Sequence, residues 1–440
     1  MISLERFLQR RQALLAKMVP GSAALIFAAP EVMRSNDTEY PFRQSSDFWY
    51  FTGFNEPQAL LVLIKSDENH NHSVLFNRVR DPAAETWSGR RLGQEAAPDK
   101  LGVDRALPWN DIGDQLHLLL NGLDVVYHAQ GEYAHADTLV FSALDKLRRG
   151  FRQHLSAPDT LTDWRPWVHE MRLFKDADEI ELLRRAGKIS ALAHTRAMQV
   201  CRPGLFEYQL EGEIQHEFNR HGARFPSYNT IVGAGVNGCI LHYTENESEM
   251  RDGDLVLIDA GCEFHGYAGD ITRTFPVNGK FSPAQRAIYD IVLACLNRSL
   301  ELFRPGISIR EVNDEVVRIM VTGLVDLGIL EGDVDTLIAE EVHRQFYMHG
   351  LGHWLGLDVH DVGHYGTPSR DRVLEPGMVL TVEPGLYIAP DADVPAQYRG
   401  IGIRIEDDIV ITEDGIENLT DSVVKEADDI EALMAAAKQA

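Results

Sequence analysis

The spacing of apolar positions changes several times along the chain, and each change marks an element. Leu4, Phe7, Leu8, Leu14, Leu15 and Met18 recur at helical spacing until "PGS" breaks the pattern. The run "AALIFAAP" at 23–30 then predicts a short buried strand. Further continuous apolar runs, "ALLVLIK" at 59–65, "HSVLFN" at 72–77 and "LDVVYH" at 123–128, predict strands, and "DIGDQLHLLL" at 111–120 predicts a helix. A small mixed α/β domain is expected over residues 1–172. The chain then turns helical in "DWRPWVHEMRLFKDADEIELLRRAGKIS", where Asp176 is placed to cap and Glu179 stands three residues on, as in a capping box.

Within 173–440 one pattern occurs twice. Helical stretches near 177–201 and 206–220 precede extended segments ending in "DLVLIDAGCEFHGYAGDITRTF". Helical stretches near 282–303 and 308–328 precede "MVLTVEPGLYI" and "IGIRIEDDIVIT". Helices grouped before strands predict an α+β domain with a largely antiparallel sheet. A structural duplication is open, although no residue-level repeat proves it.

Composition narrows the function classes. A length of 440 residues predicts two or three domains, and 44% hydrophobic content allows a sizeable core. The net charge of -25 argues against nucleic acid and anionic membrane surfaces as partners. No apolar run approaches the length needed to span a bilayer. The charged N-terminus faintly resembles a signal peptide, but its helical periodicity favours an amphipathic helix and a cytoplasmic protein. Cys201, Cys239, Cys262 and Cys295 are too few for a disulfide framework and read as buried free thiols.

Two motifs are decoys. "GAGVNG" at 233–238 matches a dinucleotide fingerprint but is followed by "CILHYT", rich in β-formers and without a helix start. "CILH" has a metal-ligand spacing that no second pair completes. Neither a G-x-S-x-G elbow nor a P-loop is present.

"MHGLGHWLGLDVHDVG" at 348–363 holds His349, His353 and His360. A zinc-protease helix would need H-E-x-x-H, and the glycines here disfavour any helix, so a loop or irregular strand is expected. Asp259 and Asp270 flank a plausible hairpin connection, "GCEFHG". Glu383 lies between two apolar runs, and strand parity puts Gly402, Arg404 and Glu406 on one face. Any one of these carboxylates is equally well a strand-end residue paired with an arginine. Four clustered carboxylates, however, need compensating positive charge, because like charges raise one another's pKa. Two divalent cations supply it, and oxygen donors with one imidazole favour harder ions such as Mn2+. Metal-assisted hydrolysis follows as a reaction class.

Asp259 and Asp270 eleven residues apart, His353 within H-G-x-G-H-x-x-G, Glu383 in "EPG" and Glu406 in "RIED" resemble the five-ligand pattern of the pita-bread metallopeptidases. That superfamily includes methionine aminopeptidase, prolidase, aminopeptidase P and the metal-free creatinase. The wider match, through "SDFWYFTGFNEP", "VHEMRLFK" and "RGIGIRIEDDIVIT", resembles its bacterial aminopeptidase P (Xaa-Pro aminopeptidase) branch.

The resemblance implies a catalytic domain with a curved, largely antiparallel sheet and two divalent ions. Asp259 would bind one metal, Asp270 and Glu406 would bridge both, and His353 and Glu383 would complete the second. Glu383 would also serve as general base for a metal-bridging hydroxide. His360 would stabilise the oxyanion, His242 would lie near the leaving nitrogen, and His349 would hold the peptide beyond it; each is otherwise a structural histidine. Arg404 would pair with site carboxylates, and Tyr387 would pack on the proline ring. The implied substrates are peptides with proline at position two, and the implied assembly is a homotetramer. Trp87 would reach a neighbouring active site in that assembly, or is an ordinary surface or core tryptophan. A prolidase restricted to Xaa-Pro dipeptides and a non-catalytic peptide-binding module stay open as alternatives.

Overall fold

Ser22–Phe27 forms a strand buried at every position. A strand so apolar on both faces must be covered on both. In the computed structural model, which describes residues 1–439, it lies inside a six-stranded sheet. It pairs antiparallel with Leu60–Lys65 and parallel with Val125–His128, so the sheet is mixed. Ala23, Leu25 and Phe27 pack with Ile112, Leu116, Val140 and Leu144 of two helices, while Ala24 and Ile26 are equally buried on the opposite face. The helix Leu4–Lys17 packs against the strand Leu60–Lys65 and buries Leu14 and Leu15. These elements belong to a compact unit, Met1–Met171, distinct from a second that begins at Arg172. Trp87, in the first unit, stands 91% exposed and is no core residue.

The second unit opens with the expected capping box, in which the Asp176 carboxylate accepts from the Glu179 amide and the Glu179 carboxylate accepts from Asp176. It starts the helix Ala177–Val200, which packs on Glu207–Arg220. A second helix pair, Pro283–Leu302 and Ile309–Asp326, is opened by capping boxes at Ser282 and Ser308. Each pair precedes antiparallel strands. Leu255–Asp259 sits between Ile231–Ala234 and Thr272–Pro276. In the second half, Val379–Val382 pairs with Asp407–Ile411, and Gly385–Tyr387 with Gly402–Arg404. An isolated bridge, Thr272 to Glu406, joins the two sets, beside hydrogen bonds between Thr274 and Arg404. The helices-then-strands order thus occurs twice, as the apolar spacing indicates.

Three local details correct or sharpen the sequence reading. Glu406 does not continue the strand of Arg404, because the ladder breaks at Ile405 and resumes at Asp407. Cys239 is half-buried, unlike the other three cysteines. The "GAGVNG" glycines lead from a strand into a 3₁₀ turn, Gly235–Cys239, and open no α-helix.

The connection between Asp259 and Asp270 forms its own small hairpin, Cys262–Phe264 against Tyr267–Ala268. It turns at His265 (φ 49°) and Gly266 (φ 89°), both left-handed as a two-residue type I′ turn requires. At its base the Ser227 hydroxyl lies 3.0 Å from the Gly261 carbonyl and 2.8 Å from that of Gly269. A Cβ on Gly261 would fall 1.7 Å from the Gly269 oxygen. Gly261→Ala is therefore expected to destabilise the protein by about 1–3 kcal/mol in urea or thermal unfolding. A change below about 0.5 kcal/mol would mean that the hairpin base relaxes freely.

Candidate active site

The histidine-rich segment is an irregular strand laid along Val379–Val382. Leu355 donates to Val379, Thr381 to His353 and Glu383 to Leu351, at 2.8 to 3.0 Å. Gly352 permits this approach, since a Cβ there would lie 1.9 Å from the Thr381 carbonyl. The pairing sets His353 beside Glu383, with His353 Nε2 3.5 Å from Glu383 Oε1 and 3.4 Å from Asp270 Oδ2. His353 Nδ1 lies 2.9 Å from the Trp354 carbonyl, and donation there turns Nε2 toward the carboxylates, where the neutral ring could ligate a cation. Asp270, His353 and Glu406 each present a ligand atom within 4.8 Å of the others.

Asp259 enters from the antiparallel neighbour strand, where it faces Thr272 in register. The Tyr228 hydroxyl lies 2.5 Å from Asp259 Oδ1 and 2.7 Å from Asp270 Oδ1, within donating distance of either. Arg404 donates to Asp259 Oδ2 (2.8 Å), Thr272 Oγ1 (3.1 Å) and Tyr387 Oη (3.0 Å). Thr272 in turn donates to Glu406 Oε2 at 2.6 Å. Behind the carboxylates, the fully buried Arg273 donates to the Glu406 carbonyl and pairs with Asp407 at 2.7 Å. All five expected ligands therefore converge, with Arg404 beside them.

The charge balance is lopsided. Burial, then the charges of Asp270, Glu383 and Asp259, pushes Glu406 well above the carboxylate range. Burial, with Asp270 adding to it, pushes Glu383 up to about 7 and Asp259 up to about 6. Burial alone would lower His353, but the Asp270 hydrogen bond and the charges of Asp270 and Glu383 raise it to about 9. Asp408 is likewise pushed up by burial and by Asp270, whose amide its Oδ2 accepts at 2.9 Å. Four site carboxylates face one guanidinium. Oxygen-rich donors with an excess of negative charge fit divalent cations.

The other histidines ring this cluster. His360 is exposed, its ring edge-on to His353 at 4.4 Å. Its segment is anchored next door by Asp361, buried between Arg172 (2.6 Å) and Lys175 (2.8 Å). His349 has both nitrogens engaged, Nδ1 with the Gly350 carbonyl and Nε2 with the Tyr387 hydroxyl, each at 2.8 Å. Tyr387 is 2% exposed, which leaves its ring little surface for a substrate proline. It is better placed as a link between Arg404 and His349. His242 is exposed and near enough to add to the burial that lowers His349 and His360.

Sequence reasoning missed Tyr228, Thr272, Thr381 and Asp408. Thr272 and Asp408 were within reach, each two residues beyond an expected ligand, Asp270 or Glu406, at the start of a strand. Tyr228 sits in "FPSYNT", where nothing distinguishes it.

The shifts carry a signed prediction for the metal-free protein. Asp259, Glu383 and His353 have folded pKa values above their unfolded ones, so the stability they contribute is lost as pH rises through about 6, 7 and 9. The melting temperature of stripped protein should fall from pH 5 to pH 8, and added Mn2+ should raise it most at the alkaline end. A stripped protein that melts higher at pH 8 than at pH 5 would contradict the surplus of negative charge.

Residues 181–413 match the family described as Metallopeptidase family M24, and residues 7–127 match the Aminopeptidase P N-terminal domain. An Xaa-Pro aminopeptidase of Escherichia coli is 76% identical over 438 residues, covering 100% of this chain and 99% of that protein. One from Haemophilus influenzae is 56% identical, covering 98% and 97%. A solved structure of zinc-substituted E. coli aminopeptidase P in complex with product superposes with a TM-score of 0.98 at 76% identity, covering 99% of both chains. With this likeness spread over both units, the chain belongs to metallopeptidase family M24, among its Xaa-Pro aminopeptidases.

Proposed function

We propose that the protein releases the first residue of peptides whose second residue is proline, using two divalent cations and Glu383 as general base. The observation that carries this reading is the convergence of Asp259, Asp270, His353, Glu383 and Glu406. Asp259, Asp270, His353, Glu383 and Glu406 would hold the cations, with Asp259 serving one, His353 and Glu383 the other, and Asp270 and Glu406 shared. The cations, when bound, would polarise the scissile carbonyl and lower the pKa of a water. The oxygen-rich donor set favours Mn2+.

The chain's own groups do the rest. Glu383, beside His353 in the site, takes a proton from the attacking water and returns it to the departing prolyl nitrogen. That nitrogen has no hydrogen of its own, so a proton must be delivered to it before it leaves. His360, with its ring edge-on to His353, donates an N–H to the developing oxyanion. His242 lies by the leaving nitrogen. His349, with both nitrogens engaged, offers the peptide a ring face. The acidic surplus draws the substrate's free amino terminus.

A cytoplasmic homotetramer completes the proposal. The apolar run Ser22–Phe27 is a central strand of the first unit's sheet. Among the described residues no helix is long and apolar enough to cross a membrane.

Glu383→Gln should lower kcat by about 10²–10⁴-fold with bound metal retained, and wild-type kcat in that variant would remove Glu383 from the mechanism. On stripped protein refilled with Mn2+, release of the first residue should be faster from an Xaa-Pro-Yaa tripeptide than from the matching Xaa-Pro dipeptide. Cleavage of the dipeptide alone would make the protein a prolidase.

A further inference from the structure

We infer that Glu207 is a positioning residue for the reaction, holding the loop that carries His242. This rests on the reading that His242 acts beside the leaving nitrogen. Glu207 is the first residue of the helix Glu207–Arg220 and is fully buried. Its Oε1 accepts from the Ala234 amide (2.8 Å) and Asn237 Nδ2 (3.0 Å). Its Oε2 accepts from Tyr243 Oη (2.7 Å) and the Ser248 amide (2.9 Å). Two of the four donors precede His242 and two follow it, one of them its immediate neighbour.

All four donors are neutral, and Glu207 opens its helix, so hydrogen bonds and the helix N-terminus support the buried carboxyl group. A carboxylate has acceptor capacity for all four, and no neutral side chain of that size does. The loop needs such a hub. Between the turn Gly235–Cys239 and Met250 it forms no strand or helix that would place His242, which is itself exposed. The hub is extended by Asn237, which also donates to Ser248 Oγ at 3.0 Å, and by the Glu207 amide, which donates to the Ser248 carbonyl at 3.0 Å. Glu207 touches none of the proposed ligands, so its influence on the reaction runs through where His242 stands.

A double-mutant cycle on the full-length, Mn2+-loaded protein tests this, with kcat and KM on an Xaa-Pro-Yaa tripeptide, metal content and melting temperature measured for each variant. Glu207→Gln places an amide N–H2 against two donors. It should lower kcat/KM by roughly tenfold to a hundredfold with metal content unchanged. In a His242→Ala background the same change should cost less than about twofold, because the group it positions is gone. A full, multiplicative loss in that background would overturn the inference and leave the role of His242 intact. A His242→Ala protein with wild-type turnover would overturn the role of His242 itself, and the inference with it. Tyr243→Phe removes one donor at constant shape and repeats the cycle if Glu207→Gln does not fold. It should give a smaller loss that likewise vanishes without His242, and an undiminished loss there counts against the inference.

Discussion

The second unit is organised around a repulsion. Asp259, Asp270, Glu383 and Glu406 are brought together where water is scarce, with Arg404 the one guanidinium among them. Such a cluster is unfavourable by itself, and the surrounding structure is what keeps it in place. Antiparallel pairing fixes Asp259 against Thr272, and the Thr272 to Glu406 bridge fixes the second pair of carboxylates to the first. Arg273, on the far side, ties the same two segments together through backbone carbonyls and Asp407. The cost of ionising the cluster is the driving force for cation binding, so fold and cofactor affinity are two readings of one energy term.

Arg404 shows how little of this could be done by a simpler residue. Its planar fork reaches a carboxylate, a threonine hydroxyl and a tyrosine hydroxyl at once, and through Tyr387 it sets the orientation of His349. His360 depends on a separate device, the buried ion triad of Asp361 with Arg172 and Lys175. Breaking such a triad is far more costly than replacing all of it with apolar groups, which makes it a device for fixing geometry rather than for adding stability. The Trp354 carbonyl, which lies 2.9 Å from His353 Nδ1 and accepts from the Asp361 amide at 3.0 Å, links this device to the His353 ring.

Much of this was legible in the sequence because it is written in short-range patterns. Apolar runs mark strands buried on both faces, Ser and Asp followed three residues later by Glu or Gln mark helix starts, and glycines rule out a helix around His353. The four carboxylates stood out because charged side chains within apolar runs are rare, whereas their roles as ligands, and that of His353, rested on the resemblance to the pita-bread metallopeptidases. What escaped was the long-range polar scaffold. Tyr228 and Glu207 look like any tyrosine and any helix-opening glutamate until the chain is folded, since their partners lie tens of residues away. Tyr387 was visible as a site residue, but only its burial and its two hydroxyl partners show that it faces inward.

The bridge between Thr272 and Glu406 has a consequence for the order of synthesis. A ribosome delivers the chain from its N-terminus, and domains generally fold as their segments emerge. Asp259 and Asp270 emerge long before Glu406, and the strand that presents Glu406 is also the one Arg273 must grip. A nascent or truncated chain that stops short of this segment holds Asp259, Asp270 and Glu383 but lacks Glu406, Arg404 and the carbonyl and carboxylate that Arg273 grips. The carboxylate cluster can therefore be completed only after the segment that carries Arg404 and Glu406 has left the ribosome.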